Sequence, residues 1–428
     1  MMYQLRLVSL LLLLASIAGA QSSLRLEQST LIAQTPSLEI RFQQGLLTSV
    51  LNRLTKEEYI TRASTRLTSI TELKPGAAVL VAGPWKLDNS DSAQPTATIE
   101  FANADSLLIY TVGLGHDDEI VLRISAKTNN PGLISATWGI SGLATGPGRL
   151  LVPGQTGTYF DERDEYGLLS LDYPVHWENQ MTVYEGKLGT LLMYSADQTP
   201  RFKRLNATSQ TGALDVAVET FAVGPYTNAT ELPVTEWRFA AFEGNWRKPA
   251  ERYKQRMSQT HPFVAPTGER AWIKDIRAVA LVFVTDNAIL DRLAKELIPA
   301  QTLIHYVDWR EQPFDIYYPD YTPAKRAKEF VEYAHKLGFR VMLHSNLLGI
   351  SQVHPQYQNF ERYQMKLPSD QRPIGWLWDE FPPGNLRRVA YVSPASSSFR
   401  KLFIDSLRPA IENIKPDAIH LDAGGAII

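Results

Sequence analysis

Residues able to do chemistry gather at a few places in the second half of the chain: Asp308 with Trp309, His344 to Asn346, and His420 with Asp422. Each group follows a short apolar run, the place where a strand delivers side chains to the edge of a sheet. The chain has no cysteine. Disulfides, thiolate zinc sites, iron–sulfur clusters and Cys nucleophiles are therefore excluded, leaving hydroxyl, imidazole or carboxylate chemistry, or binding alone. Its eight histidines form neither H-x-H nor H-E-x-x-H, so no metal or other cofactor is expected. No G-x-S-x-G marks a serine nucleophile, and no G-x-G-x-x-G or G-x-x-x-x-G-K follows a strand to cradle a phosphate. The stretch 347–392 is long for a connector and carries Tyr357, Tyr363, Trp376, Trp378 and Phe381 among Asp, Arg and Asn. Such aromatics suit stacking on sugar rings, with packing inside the loop as the plainer role for Trp376 and Trp378.

The elements that must position these residues change character halfway along. Over 24–242 apolar residues alternate or come in short runs, as at 38–42, 106–112, 119–124 and 188–194, separated by turn signals such as Pro75-Gly76 and Pro153-Gly154. This predicts a large antiparallel two-sheet β-sandwich over 21–243. Trp246, Ala250, Tyr253 and Met257 fall at helical spacing within a linker, 244–267, that stops near His261-Pro262. From 268 the rhythm becomes β then α: strands at 276–284, 302–307, 339–343 and 418–421, with helices between them. The first strand is apolar enough to be buried on both faces. Helices are expected to open at Thr322-Pro323 and Ser393-Pro394, Gly338 to end the former and Pro409 to kink the latter. Four β/α steps imply parallel strands, in a barrel or an open sheet.

The chain has 428 residues, 43 basic and 45 acidic, for a net charge of −2. That length allows roughly two to three domains, and near-neutral charge without a basic block argues against nucleic acid as a partner. Arg6, the apolar run 7–17 and Ala18-Gly19-Ala20 read as a signal peptide over 1–20, cleaved after Ala20. The run is short of the roughly 20 residues a spanning helix needs, so a secreted, extracellular or periplasmic protein with no membrane span in the mature chain is expected. The sequons at Asn206 and Asn228 would accept glycans in a eukaryotic host. The acidic clusters at 116–119 and 161–165 lack EF-hand spacing and are expected to be solvated turns.

Taken together, the sandwich, Gly244-Asn245-Trp246, Val307-Asp308-Trp309 leading to Tyr317-Tyr318-Pro319-Asp320-Tyr321, Val341 to Asn346 and Asp417 to Asp422 resemble a group of bacterial glycoside hydrolases. In these a mutarotase-like sandwich precedes a (β/α)8 barrel. The resemblance is nearest to endo-α-N-acetylgalactosaminidase-like relatives and the uncharacterised domain families beside them, and extends to α-galactosidase-type and α-glucosidase-type barrels. It covers residue 38 to the end and implies a retaining α-glycosidase whose nucleophile ends the fourth barrel strand, here Asp422. The general acid would come from a later strand. Period-two alternation puts His420 and Asp422 on the same side, and a cap on a following helix is the competing role for Asp422. Asp308 and Trp309 at the second strand end, and His344, Asn346 and His420, are the further candidates for sugar contact. Asp308 pairing with Arg310 and His344 as a satisfied core histidine are the alternatives.

From residue 268 onward about 160 residues remain, short of the roughly 250 of a complete barrel. The expectation is therefore a truncated TIM-type barrel of about four β/α units, a fragment inactive alone, from a secreted glycoside hydrolase acting on an oligosaccharide, polysaccharide or glycoconjugate. A non-catalytic glycan-binding protein, or a barrel hydrolase of other chemistry, are the competing expectations.

Overall fold

The computed structural model describes residues 22–422, apart from 63–64, 75–78, 92–93, 147, 155–156, 165–166, 198, 200, 263, 313–315, 367–372 and 381–384. The side chains of 376–380 and 385–388 also lie outside the description, as does the expected signal peptide at 1–20. The chain divides into two compact units, Met1–Phe263 and Val264–Ile428.

The first unit is built from antiparallel strands whose alternation follows the sequence. Glu231–Glu243, for example, turns Leu232, Thr235, Trp237, Phe239 and Ala241 inward and pairs with Ile120–Thr128 on one side and Gly189–Ser195 on the other. Three sheets form among the described residues of this unit rather than the two predicted: one of ten strands and two of five. The extra sheet is the meander from Ser23–Glu27 to Glu57–Glu58, whose strands pair with one another. It buries Leu31, Ile40, Phe42 and Val50 in the same core as Trp138 and Trp237 of the other sheets. Gly45, at φ +76°, makes one of its turns, and a Cβ there would meet the Phe101 ring at 2.2 Å, so no larger residue fits. At the centre Trp177 and Trp237 stack at 6.3 Å and 8°, with Trp138 5.2 Å from Trp237.

Helix α1 (Arg247–Thr260) packs on this unit through Tyr253 and Met257, against Met181, Val183, Leu192 and Tyr194. It is also held by charge. Glu119, expected in a solvated turn, is wholly buried. It accepts from Tyr194 Oη at 2.9 Å and pairs with Arg238 at 2.9 Å and with Arg252 and Arg256 of α1 at 3.3 Å each. Three guanidinium groups and a phenol replace the water a buried carboxylate loses. In the other acidic cluster Asp161 is buried and pairs with Arg163, while 162–164 are exposed beside a turn, as expected.

The second unit holds four parallel strands that neighbour one another in chain order: β1 (Ala278–Val282), β2 (Thr302–Tyr306), β3 (Arg340–Asn346) and β4 (Ala418–Asp422). The connections carry helices α2 (Asn287–Glu296), α3 (Ala327–Leu337) and α4 (Ser397–Ile414). Leu290 of α2, Phe330, Val331 and Ala334 of α3, and Phe403, Leu407 and Ala410 of α4 share one core with Val282, Ile304, Tyr306, Val341 and Leu343. All three helices therefore cover one face of the sheet. On the opposite face Val279 and Leu281 of β1 are 59% and 57% exposed, so this strand is not buried on both faces as predicted. Strands wound in one direction by right-handed crossovers put every helix on the same side.

Both helix starts lie later than predicted. The Asp320 carboxylate accepts from Thr322 N and Oγ1, and Pro323 bridges to Arg310, so this segment stays extended and α3 begins at Ala327. Gly338 ends α3 in the left-handed conformation, as expected. Ser396, not Ser393, caps α4, its hydroxyl accepting from Phe399 N. Pro409 lies inside α4. The stretch 347–392 is not a bare loop: Gly349–Ser351, Asn385–Tyr391 and Gly375–Glu380 form a small antiparallel sheet. No helix among the described residues is long and apolar enough to cross a membrane.

Replacing Glu119 by Ala leaves three arginines facing a buried void. Glu119→Ala is expected to cost about 3–5 kcal/mol of stability, read from chemical denaturation, and Arg252→Ala much less because two partners remain.

Candidate functional site

The sheet face without helices changes in kind along the strands. In register, Leu281, His305, Met342 and Ala418 form one row across β1 to β4; the next row toward the strand ends pairs His344 with His420, and the last pairs Asn346 with Asp422. Parallel pairing keeps residues of one row on one face, and a step of two returns to it. The C-terminal ends of β2, β3 and β4 thus bring together three imidazoles, an amide and a carboxylate.

The three histidines touch. His344 Nδ1 and His420 Nδ1 are 3.2 Å apart, and ring centroids lie 4.5 Å apart for His305 and His420, 5.1 Å for His344 and His420, and 5.5 Å for His305 and His344. Burial drives the His344 pKa down to about 4, with the other two histidines adding to the fall and the negative charge of Asp422 opposing it. Burial and then His420 lower His305 too, again against Asp422. Both rings are thus neutral at pH 7. His344 is a buried histidine, as the alternative held, but it belongs to a polar cluster rather than to an apolar core. His305 was absent from the sequence candidates. Its signal was parity: it lies between Ile304 and Tyr306, both buried against helices, so it must face the other way.

The end of β3 is pinned by side chains. Trp309 Nε1 donates to His344 O at 2.7 Å, Tyr321 Oη to Asn346 O at 2.9 Å, and Ser345 Oγ to His420 O of the neighbouring strand at 2.7 Å. Trp309 is wholly buried and stacks on Tyr321 at 6.0 Å and 5°. This corrects its place among sugar-contacting residues, because no indole face is open to a ligand. Asn346 is buried as well, and its Oδ1 accepts from Leu348 N at 3.0 Å and Gly349 N at 2.7 Å, so the side chain shapes the turn after β3. Arg310 donates to Ile316 O and Asp320 O and lies 4.1 Å over the Tyr318 ring. Asp308 is half-buried just past β2; burial raises the pKa of the nearby Tyr306 hydroxyl, the Thr285 hydrogen bond opposes this, and the Asp308 charge adds to the rise. Asp422 is half-buried, and its carbonyl accepts from Leu347 N at 3.3 Å. Any cap it makes on a following helix lies outside the described residues. Trp376 and Trp378 sit on the strand Gly375–Glu380, opposite Val389 and Arg387, with their side chains outside the described residues.

Asn346→Ala strands two buried amide donors, so a loss of about 1–3 kcal/mol is expected in denaturant titration.

The model of a family described as a domain of unknown function (DUF6259) matches residues 234–426. No curated protein matches the chain. Among solved structures it is similar to the α-N-acetylgalactosaminidase NagBb of Bifidobacterium bifidum. In the GalNAc complex of that protein the TM-score is 0.65 at 11% identity, over 94% of this chain and 69% of that one. In its Gal-NHAc-DNJ complex the values are 0.62 and 10%, over 94% and 68%. An α-galactosidase from Lactobacillus brevis aligns with 13% identity over 92% of this chain and 63% of that one, at a TM-score of 0.49. The chain thus has a glycosidase-like fold, as the resemblance in its sequence implied.

Proposed function

We propose that the protein is a secreted retaining glycoside hydrolase acting on α-linked glycans, and that β1 to β4 are the first four strands of a (β/α)8 barrel. The observation that carries this reading is the place of Asp422. It ends the fourth of four consecutive parallel strands, on the face that bears no helix. Strand order 1-2-3-4 with helices on one side is barrel geometry, whereas a doubly wound sheet reverses direction and takes helices on both faces. The exposed Val279 and Leu281 suit the packed interior that barrel closure would give them.

In this mechanism the Asp422 carboxylate attacks the anomeric carbon as the glycosidic C–O bond breaks. A carboxylic acid about 5–5.5 Å away, on one of the later strands, gives its proton to the leaving oxygen. Water then cleaves the glycosyl ester, with that second residue taking the proton. Asp308 is the polar group at the β2 end for a sugar hydroxyl. The secretory route rests on Arg6, the apolar run after it and Ala18-Gly19-Ala20.

The test is mechanism-based trapping with 2-fluoro α-glycosyl donors, in a chain spanning all eight β/α units, followed by peptide mass mapping. A fluoroglycosyl adduct on Asp422 is expected, with Asp422→Asn lowering kcat at least about a thousandfold on aryl α-glycosides while circular dichroism stays unchanged. An adduct on another carboxylate, or unchanged turnover in the variant, overturns the assignment. Glycan binding with neither turnover nor adduct makes the protein a glycan-binding one instead.

A further inference from the structure

We propose that His305, His344 and His420 form a binding site for a divalent transition-metal ion of the zinc class. The inference does not depend on the glycosidase reading.

Three adjacent parallel strands each contribute one imidazole to the helix-free face, and one ring nitrogen from each lies within 4.8 Å of the other two. A four-coordinate ion with metal–nitrogen bonds of about 2.0–2.1 Å holds its ligand nitrogens roughly 3.3–3.4 Å apart. The His344 and His420 Nδ1 atoms, at 3.2 Å, already stand at that spacing, and the His305 nitrogen, within 4.8 Å of both, would have to close on them to complete three corners of a tetrahedron. The fourth corner is left to water or to an oxygen ligand. Three imidazoles with no thiolate select zinc, cobalt, nickel or copper over the oxygen-seeking calcium and magnesium.

The cluster is poorly served by hydrogen bonding alone. Two facing Nδ1 atoms bond only if one carries the proton and the other does not, which forces different tautomers on the pair. His305 Nε2 is buried with no hydrogen-bond partner among the described residues. Asp422, two residues beyond His420 on the same face, supplies negative charge that acts on the His305 and His344 rings and would offset that of a dication. No short motif announces the site, because its ligands come from three strands 39 and 76 residues apart in sequence.

The test uses untagged, chelator-stripped protein titrated with Co²⁺. Expected are a visible d–d spectrum of four-coordinate cobalt saturating at one equivalent, displacement by Zn²⁺, and a Kd at or below about 10 µM. His305→Gln, His344→Gln and His420→Gln should each weaken binding at least tenfold, and His335→Gln, on α3, should leave it unchanged. Circular dichroism separates lost ligation from lost fold. Should His344→Gln fail to fold, the less buried His305→Gln and His420→Gln decide. No cobalt spectrum in the folded parent chain, or binding equal in parent and folded ligand variants, overturns the proposal and leaves a hydrogen-bonded histidine cluster.

Discussion

The second unit depends on one constraint: the apolar face of the parallel sheet must be covered, and right-handed crossovers can cover it from one side only when successive strands are added in one direction. Val282, Ile304, Tyr306, Val341 and Leu343 are that face, and α2, α3 and α4 are laid across it. Each fully buried side chain of this kind contributes roughly 1.5–3 kcal/mol, enough to commit strand parity and helix position together. The chemistry is then decided by default. Residues one step out of phase, His305, His344, His420 and Asp422, have to appear on the other face, and parallel pairing brings their strand ends to one edge.

That edge is held by bonds that spend buried side chains on backbone carbonyls. The donors from Trp309, Tyr321 and Ser345 reach the carbonyls of His344, Asn346 and His420, and the Asn346 side chain closes the turn that follows. A sheet edge at which strands end loses its ladder partners, and each unpaired buried carbonyl or amide is costly. Supplying donors from rigid, stacked aromatics satisfies these groups and fixes where the imidazoles and the Asp422 carboxylate stand. Trp309 matters to the site through position alone, which is why an aromatic beside a candidate Asp read as a ligand contact in the sequence.

What was legible followed from periodicity. Alternation located the strands of the first unit, the helical spacing of Trp246, Ala250, Tyr253 and Met257 located α1, and Gly338 marked an end correctly. What was hidden depended on partners distant in sequence. Nothing local tells that Glu119 meets Arg252 and Arg256 from α1, so a cluster that looked solvated became an interior ion network. Thr-Pro as a helix opener does not reveal that the Asp320 carboxylate captures Thr322, which delays the start of α3 to Ala327. For His305 parity tells the face but not the row: it stands inside a strand rather than at its end, and the register with Met342 and Ala418 puts it one row beneath His344 and His420.

The helix-free face has a direction. Toward the starts of the strands it carries Val279, Leu281, Leu303, Met342 and Ala418, with His305 in the last of these rows; toward their ends it carries His344, His420, Asn346 and Asp422. An antiparallel sheet would mix strand starts and ends along each edge, but here every strand runs the same way, so one gradient in each strand becomes a gradient across the sheet. The apolar half asks to be packed, at roughly 1.5–3 kcal/mol for each large side chain removed from water. The polar half, by contrast, loses hydration when covered and is stabilised only by groups that answer its charges and lone pairs. A face divided in this way separates the part that asks to be packed from the part that stays polar, and Asp422 stands at the outer limit of the second.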